Sequence, residues 1–162
     1  MSADTILRQQ VLALLDGRNA HATLDDVVAN FPPEHFNTRP PNVPYSPWHL
    51  LEHIRIAQWD ILEFIRDPNY KSPPWPEGYW PAPDAQADEA AWNNTLAAIR
   101  ADMAALKAMV QDPARDLTAE LPHAPGYTLL REALLVADHN AYHIGEFGIL
   151  RQVMGTWPPG HE

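Results

Sequence analysis

The sequence predicts an all-α fold, a four-helix bundle with long proline-rich connections, and three observations carry that expectation. Thirteen of the 17 prolines cluster in "FPPEHFNTRPPNVPYSP" at 31–47, "SPPWPEGYWPAP" at 72–83 and "WPPG" at 157–160. Proline inside a helix costs about 3 kcal/mol, so these clusters must be connections. Between them run long, nearly proline-free stretches in which apolar residues recur at helical spacing. No segment alternates apolar and polar residues over a strand's length, and no hairpin turn is flanked by β-branched runs.

The first helix is expected over 3–16, where Ile6, Leu7, Val11, Leu14 and Leu15 share a face and Gly17 ends the run. A short helical segment follows at about 23–30. Ser46 and Pro47 form a start signal, a capping hydroxyl followed by proline in the first turn, for a helix reaching to about Arg66. A third long helix is read from about Asp88 to Val110, and a fourth from near Thr128 to Met154, with Gly155 as its stop. At 162 residues the chain is sized for a single domain, taken as 1–162.

Composition narrows the function. The formal net charge is -10 and no stretch gathers Lys and Arg into a patch, so neither nucleic acid nor an anionic membrane is an expected partner. The absence of cysteine removes disulfides, thiolate metal sites and cysteine nucleophiles, so any reacting thiol must come from outside. There is no secretory signal pattern and no apolar run of the roughly 20 residues a membrane span needs, which makes the cytoplasm the expected location.

The fourth helix is apolar almost all the way round, as a central helix would be. One stripe, about 60° wide on a helical winding, carries Glu132, His139, His143 and Glu146. Histidines four apart project side by side and can reach one ion. Alternatively, they form a hydrogen-bonded core pair with Glu132 or Glu146. The second long helix contains "HLLEH" at 49–53, the string of the inverted zinc proteases. On its winding His53 lies at the edge of the core face, His49 lies about 40° further toward solvent, and Glu52 points away from the core. His49 and Glu52 are therefore read as a solvated face, and Asp60 as a polar neighbour on the stripe of His53. One histidine from the second long helix and two from the fourth would make a three-histidine set with an open position, the composition of catalytic zinc. The Glu-x-x-His pairs of a two-iron carboxylate site are missing.

"SPWHLLEHIRIAQWDILEFI" at 46–65 and "DHNAYHIGEFGILRQVMGTWPP" at 138–159 closely resemble the DinB-like superfamily of bacterial four-helix-bundle proteins. The resemblance implies an up-down-down-up bundle that binds one divalent ion, zinc or nickel, through His53, His139 and His143, with no ligand role for His49. It also implies a homodimer, and a small-molecule substrate handled by a hydrolase or by a transferase using a low-molecular-weight thiol. Glu146 is the candidate general base, or the partner of an imidazole N–H. The competing expectation is a non-catalytic metal-binding or structural bundle of a stress response.

The aromatics of the connections, Tyr70, Trp75, Tyr79, Trp80 and Trp157, are expected to pack against the bundle, and His21, His35, His123 and His161 to face solvent. Arg151, in an otherwise buried helix, is expected to meet a carboxylate or an anionic substrate.

Overall fold

The structure is a computed structural model and describes residues 1–159; His161 lies outside them. The fold is mostly helical, with four long helices, one short helix and a small two-stranded sheet among the described residues. The helices are α1 (Ala3–Asp16), α2 (Leu24–Val28), α3 (Pro47–Arg66), α4 (Glu89–Gln111) and α5 (Leu129–Met154).

Local chemistry sets the N-terminus of each of these helices and the C-termini of α1 and α5. Ser2, Thr23, Ser46, Asp88 and Thr128 each accept a backbone N–H of the first turn through a side-chain oxygen, satisfying a donor the helix itself leaves open. Gly17 and Gly155 close α1 and α5 at φ 70° and 63°, left-handed values that only glycine adopts without strain.

The hairpin departs from expectation. β1 (Glu120–Leu121) pairs antiparallel with β2 (Ala124–Thr128) ahead of α5. A ladder this short, with Pro125 and Gly126 in its longer strand, carries no readable alternation.

α3 packs on both α4 and α5, and α1 lies against α4 and α5. Two apolar clusters fill the interior. One gathers Phe31, Phe36, Leu50, Ile54, Trp92 and Phe147; the other gathers Val11, Leu62, Leu106, Val110, Leu117 and Val136. Both α3 and α5 contribute to each cluster. Between the two contributions, these helices carry a belt of buried or half-buried polar residues: His53, Gln58, Asp60, His139, Asn140 and His143. Within that belt Gln58 donates to the Ile99 carbonyl at 2.7 Å and accepts from Asn140 at 2.8 Å.

Arg151 is fully buried, but it neither pairs with a carboxylate nor opens to a ligand. Its guanidinium donates to the carbonyls of Val27, Ala29 and Thr156 and lies over the rings of Phe31 and Trp157. Arg8 likewise donates to the carbonyls of Val110, Asp112 and Arg115, and it also pairs with Asp4. Fixed donor forks thus tie irregular backbone to the helices and satisfy carbonyls that would otherwise be buried unpaired. His21 is exposed as expected. His35 is half-buried, and so is His123, whose Nε2–H donates to the Phe64 carbonyl at 2.8 Å.

Candidate metal centre

The polar belt brings His53 of α3 together with His139 and His143 of α5, with one nitrogen from each within 4.8 Å of the others. His53 Nε2 lies 3.1 Å from His143 Nε2 and 3.2 Å from His139 Nε2. An ion with metal–nitrogen bonds of about 2.0–2.1 Å in tetrahedral geometry needs its donors about 3.3 Å apart. The observed spacing is close to that.

The partners of the outer nitrogens say which atoms are free to bind. His53 Nδ1 is 2.7 Å from the Tyr79 carbonyl, which can only accept, so the proton sits on Nδ1 and the lone pair on Nε2. His143 Nδ1 is 2.6 Å from Glu146 Oε2, which assigns its tautomer in the same way. Two lone pairs therefore face each other across 3.1 Å, an unfavourable approach unless something positive lies between them. Burial and the neighbouring imidazoles push the His139 pKa down to about 4, and burial foremost lowers that of His53. Both rings are neutral at pH 7, the form that coordinates.

A ring of side chains braces the centre. His53 stacks on Trp80 with centroids 4.0 Å apart, and Trp80 stacks on Tyr45 at 5.2 Å. The Tyr45 hydroxyl donates to Glu146 Oε1 at 3.1 Å, and Glu146 returns the chain to His143. Burial and the Glu146 carboxyl push the Tyr45 pKa up to about 12, which keeps that donor protonated. Asp60 joins from the side, accepting the Tyr79 hydroxyl at 2.7 Å and so holding the residue whose carbonyl fixes His53.

Tyr79 and Trp80 arrive on the connection between α3 and α4. Its path depends on Gly78, where a Cβ would fall 2.5 Å from Pro73 Cβ and 2.9 Å from Pro74 Cδ. The aromatics of this connection therefore do more than pack against the bundle. Trp75, Tyr79 and Trp80 line a cavity of ≈ 360 Å³ together with His53, His139, His143 and Asp60. The clustering of aromatics in a glycine-containing proline stretch was the visible signal for it.

Two further expectations are corrected. His49 is only 5% exposed rather than solvated. Its Nδ1 is 2.6 Å from Ser46 Oγ, and its Nε2 is 3.1 Å from the Ala82 carbonyl, so neither nitrogen is left for a metal. Glu52 packs against α4 rather than facing open solvent, accepting the Thr95 hydroxyl at 2.8 Å and pairing with Arg55. Glu132 shares the predicted stripe but is buried in an ion pair with Arg131, apart from the histidine cluster.

These features define a class: a helical protein whose central helices bring three histidines to the spacing of a divalent-metal site. The chain belongs to the DinB superfamily, whose model matches residues 17–147 and so takes in all three histidines. No curated protein matched the chain, and no solved structure did.

Proposed function

We propose that the protein is a metal-dependent enzyme in which His53, His139 and His143 hold one Zn²⁺ or Ni²⁺. The observation that supports this best is the pair of assigned tautomers. Tyr79 and Glu146 hold protons on the outer nitrogens and leave convergent lone pairs on the inner ones. Three imidazoles with no further side chain in the cluster, among the described residues, is the donor composition of catalytic rather than structural zinc. Such an ion, when bound, supplies the acidity that makes a water or a thiol nucleophilic at neutral pH. The chain lacks cysteine, so a thiol would be a second substrate. The site would serve hydrolysis with water as the nucleophile, or transfer with an external thiol.

Around that chemistry the chain's own groups position and shield. Glu146 acts as the residue that orients His143, since one oxygen accepts the His143 Nδ1–H and the other the Tyr45 hydroxyl. As a general base it would first have to release one of these donors. Trp80 covers one face of His53, and the cavity beside the three rings leaves room for a substrate. We take the protein to be a homodimer of single-domain chains with the four long helices in up-down-down-up order. The exposed Tyr142, Ile149 and Val153, at helical spacing along α5, offer an apolar stripe for the second copy.

Elemental analysis of the purified protein and of His53→Ala, His139→Ala and His143→Ala tests the ligand set. Wild type is expected to carry about one equivalent and each variant at most about a tenth of it. Stoichiometric metal in His139→Ala would sink the triad. Screening ester, amide and electrophile-plus-thiol panels, before and after chelation, then decides the reaction.

A further inference from the structure

We infer that the cavity beside the three histidines receives the uncharged, apolar body of its substrate, an aryl or branched alkyl group, on a wall that has no partner for an anionic one; this rests on the metal-dependent reading of the same site.

The lining carries the inference. Its walls are Ala57, Ile61, Trp75, Trp80 and Leu135, and no Lys or Arg is among the lining residues. Apart from the histidines, its polar members are Asp60 and Tyr79, and the Tyr79 hydroxyl is committed to Asp60. A carboxylate or phosphate that left water for this wall would meet an acidic side chain and find no counter-ion or free hydroxyl donor on it, a costly exchange that only an ion held by the histidines would offset. Cations border a different cavity, whose lining includes none of the three histidines. Arg100 and Lys107 line that one and are paired with Asp25 and Asp16. The histidine cavity thus has no Lys or Arg in its lining, in a chain whose net charge is -10.

Trp75 adds the second part. It is 73% exposed at the mouth, with its ring 5.3 Å from that of Tyr79, and Leu135 is 38% exposed on the same cavity. A flat apolar group seated between them would remove both from water, the main driving force for small-ligand binding. At ≈ 360 Å³ the space lies near the lower end of ligand pockets. It suits a single-ring body rather than a peptide or a polymer.

The test is a calorimetric titration of the as-purified and the chelator-treated protein with two probes of one shape, neutral 4-nitrobenzyl alcohol and anionic 4-nitrobenzoate. In the chelated form the alcohol is expected to bind at least about tenfold tighter, and in the metal-bound form the gap is expected to be smaller, because the ion itself attracts the carboxylate. Trp75→Ala is expected to weaken the alcohol roughly tenfold with metal content unchanged. Leu135→Lys, at a position exposed enough to accept the charge, is expected to narrow the gap by strengthening the benzoate. Benzoate binding as tightly as the alcohol in the chelated form, or Trp75→Ala leaving the alcohol's affinity intact, overturns the inference. Failure of the metal reading shows separately, as purified protein without metal in which the alcohol preference persists.

Discussion

His49 and His53 stand four residues apart on α3, as His139 and His143 do on α5, yet one pair sends a single ring to the centre and the other sends both. Spacing places rings side by side; what the ring nitrogens meet next decides their chemistry. The connection between α3 and α4 supplies both answers on α3. Its Ala82 carbonyl meets Nε2 of His49 while Ser46 meets Nδ1, which uses up the ring. Three residues earlier its Tyr79 carbonyl meets Nδ1 of His53, which aims Nε2 at the α5 histidines. The same kind of acceptor makes one histidine structural and frees the other to bind.

The sharpest way to break this comparison is to delete one ring from α3 at a time. His53→Ala is expected to abolish stoichiometric metal. His49→Ala is expected to keep it and to lose about 1–3 kcal/mol of stability, because the Ala82 carbonyl and the Ser46 hydroxyl lose a buried partner. Metal analysis and denaturant titration of both variants read the two effects. If His49→Ala loses its metal while remaining folded, the division of roles drawn here is wrong.

Glu146 sharpens the comparison from the α5 side, where it does for His143 what the Tyr79 carbonyl does for His53. Glu146→Gln can still accept from Nδ1 but brings no charge, and Glu146→Ala removes the acceptor. Metal affinity is expected to fall about 10–100-fold in the alanine variant and less in the glutamine variant. Competition with a chromogenic chelator gives both values. Equal affinities in all three proteins would mean that the 2.6 Å contact does not orient the ring.

How much of this could be read beforehand follows from the range of the forces involved. The helix ends were legible because Ser46, Asp88, Thr128, Gly17 and Gly155 act within a few residues of themselves. His139 and His143 were legible because an apolar helix leaves polar rings in need of partners. The partners of α3 were not, since they come from a connection whose path depends on the contact of Gly78 with Pro73 and Pro74. Winding α3 in isolation put His49 and Glu52 toward water, and tertiary neighbours, Ala82 and Thr95, covered them. Arg151 was misread for a similar reason. A buried cation suggests an anion, but three backbone carbonyls serve it as well.

The smallest expected effect concerns protons on His139. Its pKa is pushed from 6.5 down to about 4, chiefly by burial, so in the chelated protein the unfolded chain binds a proton that the folded one refuses. With more protons bound in the unfolded state, stability rises with pH. The contribution is therefore complete above about pH 6.5 and is lost progressively as pH falls toward 4; His53, lowered in the same direction, adds to it. Denaturant titrations of chelated wild type and His139→Gln at pH 7 and pH 5 isolate the effect, since the surface carboxylates titrate alike in both. Wild type is expected to lose more stability between the two pH values than the variant. Parallel losses would mean that His139 takes up its proton in the folded protein as readily as in water, which its burial beside two other imidazoles argues against.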